Sequence, residues 1–94
     1  MKDFNKKCAE YLGWRLEKTW ERNLWWYEED FAYNEKELKF DSDWNWIIIV
    51  LEAILNECSE EGNLEPYYVV TDYIPVLEDT KQAIYNYITD NENN

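Results

Sequence analysis

The chain has 94 residues, nine Lys/Arg against 21 Asp/Glu, and no histidine, for a formal charge of −12. That length holds one domain, 1–94, near the size at which a single core stabilises only modestly; a hydrophobic share of 46% with six Trp excludes a disordered acidic tail. The lack of histidine removes Ser-His-Asp, Cys-His and His-ligated metal chemistry together.

The first residues, Met1 to Lys7, are polar with no apolar run behind them, so they do not read as a secretory leader. Phe4, Cys8, Tyr11 and Leu12 then fall on one helical stripe, which predicts a helix over about 3–12. Asp3 suits its N-terminus. Gly13 suits the left-handed residue just past its end. Residues 14–40 mix broken alternation with strong β-propensity and predict two or three short strands, about 14–20, 24–28 and 37–40. The turns between them are Glu21-Arg22-Asn23 and Glu28-Glu29-Asp30.

The clearest element is a helix over about 43–58. Asp41-Ser42-Asp43 offers N-cap oxygens. Trp44, Ile47, Ile48, Leu51, Ile54, Leu55 and Cys58 recur at a helical period, and Trp46, Ile49 and Val50 widen the apolar arc until more than one side must be covered. The run Trp46 to Leu51 is the longest apolar stretch, far short of the roughly 18 residues a membrane span needs. Residues 59–63 read as a turn. Tyr67 to Thr71 read as a strand, with Pro66 at its first position and Pro75 barring its continuation. A last helix is expected over about 78–90, with Ala83, Ile84, Tyr87 and Ile88 as its buried stripe, and 91–94 as a frayed tail. The element order gives an α+β fold: a small three-layer α/β/α sandwich with a short antiparallel-type sheet and about three helices.

Charge divides the chain. Residues 1–40 carry eight Lys/Arg and nine Asp/Glu; residues 41–94 carry Lys81 alone and twelve Asp/Glu. A surface of that sign repels nucleic acid and anionic membranes and attracts basic protein surfaces, most of which are nucleic-acid grooves. The same charge also keeps an aromatic-rich chain soluble. The two cysteines, Cys8 and Cys58, form no CxxC and read as reduced core thiols of a cytosolic protein.

Three stretches carry a likeness to a known group: Cys8 to Trp14, Glu37 to Trp46 running into Ile54, and Lys81 to Ile88. Their centre is the Ser42-Asp43-Trp44-Asn45-Trp46 box that opens the long helix. Together they resemble small phage and prophage proteins of the phage α-β-α sandwich type. The resemblance implies a phage or mobile-element origin and a three-layer domain. It implies no activity, and it favours host-directed roles over housekeeping enzymology.

No motif reads as catalytic. Asp41-Ser42-Asp43-Trp44-Asn45 begins like a calcium loop, but Trp46 stands where the glycine belongs, so a helix N-cap is the better reading. Glu28-Glu29-Asp30 and Glu60-Glu61 read as solvated charge rather than catalytic or metal-binding pairs. Trp14, Arg15, Trp20, Arg22, Trp25 and Trp26 interleave rings with cations, as a nucleotide or single-strand site would. A sheet with alternate faces in the core makes the same pattern. The acidic set Glu52, Glu57, Glu60, Glu61, Glu65, Asp72, Glu78 and Asp79 is the candidate partner-binding face: carboxylates a few ångströms apart on one face can imitate a phosphate ladder.

The expected function is therefore that of a small, non-enzymatic, acidic protein of a phage or mobile element in a bacterial cytoplasm. It would inhibit a host defence nuclease, of anti-CRISPR or anti-restriction type, by mimicking DNA at a basic nucleic-acid-binding surface. No cofactor, metal, membrane or direct nucleic-acid contact is expected, and a homodimer is left open. The competing readings are a nucleotide-sequestering protein using residues 14–26 and a structural phage accessory.

Overall fold

A computed structural model describes residues 3–21, 23–27, 29 and 31–92. Helix α1 (Phe4–Tyr11) leads into a meander of three antiparallel strands, β1 (Arg15–Lys18), β2 (Asn23–Tyr27) and β3 (Phe31–Asn34), ordered β1-β2-β3. A 3-10 turn at Glu35–Glu37 follows, then α2 (Trp44–Glu61), α3 (Glu65–Thr71) and α4 (Leu77–Glu92). The fold is small α+β with an antiparallel sheet, and it has four α-helices where about three are expected.

Gly13 and Asp43 end and start their helices as read. Gly13 sits at φ 78°. The Gly13 and Trp14 N–H groups donate to the carbonyls of Glu10 and Ala9, both at 3.0 Å, which is a Schellman ending. Gly62, at φ 75°, ends α2 the same way, with the Asn63 N–H on the Cys58 carbonyl at 3.0 Å. Asp43 caps α2, its carboxylate accepting from the Asn45 N–H at 2.8 Å. Asp3 does not cap α1 with its side chain. It lies in the left-handed region, and its carbonyl accepts from the Lys7 N–H at 2.9 Å.

Register sets what the sheet buries. Leu16 pairs with Trp25, and Trp25 with Tyr33, so all three project to one face. Trp25 is 1% exposed there and joins the same core as Phe40, Ile47, Val50 and Ile54. Trp14 extends this face, its ring 5.1 Å from Tyr27, 5.3 Å from Phe40 and 5.9 Å from Trp46. The other face carries Arg15, Glu17, Trp26 and Ala32 and is open to solvent at Ala32. The sheet is thus covered by helix and loop mainly on its inner side. On the helical side Phe4, Cys8 and Ala9 of α1 meet Ile84 and Ile88 of α4 and the buried stripe of α2. Each of these large aliphatic or aromatic side chains stabilises the fold by roughly 1.5–3 kcal/mol.

Two expected strands are corrected. Residues 37–40 are not a strand. Asn34 and Glu37 form a capping box, with the Asn34 Oδ1 accepting from Lys36 and Glu37 N–H at 2.9 and 3.1 Å, and Glu37 Oε1 accepting from Asn34 N–H at 3.0 Å. The chain turns there, the third strand falls earlier at Phe31–Asn34, and Leu38 and Phe40 enter the core as irregular chain. Residues 67–71 are helix α3, not a strand. Pro66 lies in its first turn, where the missing N–H costs nothing, and Asn63 Oδ1 accepts from the Glu65 N–H at 3.1 Å. The segment packs on α2 and α4, away from either sheet edge, so a strand would leave its peptide groups unpaired while a helix satisfies them internally. That requirement overrides the β-propensity of Tyr67 to Thr71. At the other end α4 runs on through Glu92, into the segment expected to fray.

Candidate functional site

Helices α2, α3 and α4 form one layer, α2 against α3 and α3 against α4. They carry six exposed members of the acidic set, and a seventh, Asp72, follows α3. On α2, Ile47, Val50, Leu51, Ile54 and Cys58 face inward, which leaves Asn45, Ile48, Glu52, Asn56 and Glu60 as the outward stripe. Glu60 and Glu61 are exposed at the end of α2, Glu65 opens α3, and Asp72 follows it. Glu78 and Asp79 occupy the first turn of α4, where they also complement the helix dipole. The turn acid Glu29 is exposed; Glu28 and Asp30 lie outside the described residues.

Glu57 stands apart from this surface. Its two carboxylate oxygens accept from the Tyr11 hydroxyl at 3.0 Å and the Tyr87 hydroxyl at 2.8 Å, linking α1, α2 and α4. The two tyrosine rings meet edge to face at 6.0 Å. Burial first, then Tyr87 and Glu57, push the Tyr11 hydroxyl well above the ordinary tyrosine range. Burial first, then the negative charge of Asp41, does the same to the Cys8 thiol. Both groups keep their protons in the folded state at pH values where a free thiol (about 8.5) and a free phenol (about 10) lose them. The unfolded chain then binds fewer protons, so stability falls as pH rises above about 9. The urea midpoint is expected to decline between about pH 9 and 11. A Cys8→Ala/Tyr11→Phe double variant should flatten that decline, and an equally steep decline in the variant would refute the assignment.

The only cation of the acidic half is turned inward. Lys81 is 8% exposed, its ammonium donating to the Asp41 carbonyl at 2.9 Å and pairing with Glu78 at 2.8 Å. It lies on the same helical stripe as Leu77, Ile84 and Ile88, a placement the spacing already carries. The outer surface of α2–α4 therefore presents carboxylates with no accessible ammonium or guanidinium among the described residues.

The aromatic and basic set does not gather into a platform. Trp14 and Trp25 belong to the inner side of the sheet. Trp26 lies on the outer face, with the Arg15 guanidinium 5.5 Å above its ring and its indole N–H donating to Glu17 at 3.2 Å. Trp20 sits in the β1–β2 turn, 93% exposed, and Arg22 lies outside the described residues. Strand alternation explains the scatter, since successive positions of β2 point to opposite faces.

Sequence reasoning missed an apolar surface beside the acids. Tyr68, Val69, Tyr73, Ile74 and Val76 are all exposed on α3 and the loop after it. Between α3 and α4 runs a groove of about 310 Å³. Its signal was the helical spacing of Pro66, Val69 and Tyr73, hidden inside a run that reads as β-branched strand.

Among the described residues there is no cluster of three or more His, Cys, Asp or Glu arranged to hold a metal, and no helix long and apolar enough to cross a membrane. Cys8 and Cys58 are both buried and unbonded to each other. Compared with known protein families, with curated proteins and with solved structures, the chain finds no match.

Proposed function

We propose that this chain is a non-enzymatic binding protein that docks through its acidic helical layer on a basic, nucleic-acid-binding surface of another protein and occludes it. An inhibitor of a host defence nuclease, of the anti-CRISPR or anti-restriction kind and carried by a phage or mobile element, is the form of this function that fits both the chemistry and the sequence resemblance. The observation that carries the reading is the inward turn of Lys81, the single cation of residues 41–94. With that charge spent on Asp41 and Glu78, the layer meets a basic partner with one sign of charge. Its exposed carboxylates present charge of the sign that phosphates carry along a duplex.

The test is capture of bacterial lysate proteins on the immobilised chain at low and high salt, with and without added duplex DNA. A nucleic-acid-processing enzyme that is held at low salt, and released by either salt or DNA, is the expected result. Captured proteins that stay bound in the presence of both would overturn the reading, as would an empty eluate at every salt.

A further inference from the structure

The groove between α3 and α4 has walls of different character. Val69 of α3 and Tyr73 of the loop after it form the apolar side, and Val69 is 56% exposed although it stands on a packed helix. Gln82 and Asn86 of α4 form the polar side, between Asp79 at one end and Asp90 at the other. No Lys or Arg lines it. The exposed apolar surface continues past the groove through Ile74 and Val76. Scattered apolar residues need no explanation, whereas a continuous patch beside a cavity marks a contact surface.

We infer that this groove receives a cationic amphipathic helix of a partner protein. Charge complementarity chooses the occupant: an apolar trough closed at both ends by carboxylates favours an apolar stripe flanked by cations. Geometry sets the spacing. Asp79 and Asp90 are eleven residues apart on one helix, about 16 Å along its axis. A partner helix lying along α4 therefore needs Lys or Arg eleven residues apart on one face. Apolar side chains one and two turns in from the first cation would enter the trough beside Val69 and Tyr73. The inference rests on the basic-partner reading above and adds the place and shape of the contact.

The test uses two labelled, Ala-rich helical peptides of about five turns each, identical in composition, read by fluorescence anisotropy against the full chain. One has two lysines eleven residues apart with two leucines between them on the same face. The other places the lysines on the face opposite the leucines. The first peptide is expected to bind at least about tenfold more tightly than the second. Val69→Glu should then weaken the first peptide by about tenfold or more. That variant adds a negative charge, so plain attraction between opposite charges would leave binding equal or tighten it. An exposed position makes the substitution tolerable to the fold, which circular dichroism checks. Asp79→Asn/Asp90→Asn should weaken the peptide too, while Glu21→Gln/Glu29→Gln in the exposed hairpin turns of the sheet should not. Equal binding of the two peptides, no binding of either, or unchanged binding by Val69→Glu overturns the groove assignment. If salt- and DNA-sensitive capture of a nucleic-acid-processing enzyme persists in that case, the groove fails and the occlusion reading stands. Loss of capture together with intact peptide binding separates the two the other way.

Discussion

Trp25→Ala is expected to destabilise the protein by about 3–5 kcal/mol, the cost of emptying a large aromatic site in a core that relaxes only in part. Trp25 is 1% exposed and occupies the centre of the middle strand, between Leu16 and Tyr33. Total stability for a domain of this size is about 5–15 kcal/mol, so the variant should lose a large share of it and melt more than about 10 °C lower. Trp25→Phe should cost much less. The indole N–H finds no acceptor among the described residues. A buried donor without a partner carries a penalty of about 1–3 kcal/mol, and phenylalanine removes that donor while keeping most of the apolar area. Trp20→Ala, five residues away on the hairpin turn, should change stability by no more than about 0.5 kcal/mol. Calorimetric melting of the three variants checks the set. Similar melting points for Trp25→Ala and Trp20→Ala would refute the packing of the sheet on the helices.

That contrast shows where the sequence was legible. Termination chemistry is local, and Gly13 and Asp43 therefore carried their signals on their faces: a left-handed residue past a stripe, and a carboxylate before an apolar run. Alternation in β1 and β2 was equally local, and it foretold that some tryptophans of residues 14–26 point inward. Alternation could not say which, because register depends on the partner strand and a slip of one residue exchanges the faces. Only the pairing of Leu16 with Trp25 decides that Trp25 is buried and Trp26 is not.

The two misread strands share a high β-propensity but fail for different reasons. Tyr67 to Thr71 has the composition of a strand, and no property of those five residues reveals that the sheet edges lie elsewhere. Residues 37–40 were lost to a capping box at Asn34 and Glu37 that the sequence does contain, masked by the β-propensity around it. The candidate surface was legible in charge but not in shape. Acidic residues on helices are expected to be exposed, and seven of the set are. The groove between α3 and α4 needs α3 to be a helix, so the misread strand hid it.

The hydrogen bonds of Glu57 were hidden from the sequence, since its partners lie 46 and 30 residues away. Glu57→Ala should destabilise the fold by about 1.5–3 kcal/mol, because it leaves the Tyr11 and Tyr87 hydroxyls without the carboxylate they share. Glu57→Gln keeps one acceptor and should cost about half as much. A double-mutant cycle with Tyr87→Phe should show a coupling of more than about 0.5 kcal/mol, whereas independent sites would add. The consequence for function is a separation of effects. Measured on the folded fraction, Glu57→Gln should leave salt-sensitive capture of a basic partner unchanged, since its charge is turned toward α1 and α4 rather than outward. Asp79→Asn, on the exposed rim of the groove, should reverse the pattern, weakening capture with little change in melting. If Glu57→Gln instead abolished capture at full stability, the carboxylate would belong to the docking face after all, and the inward link between the two tyrosines would be the wrong account of it.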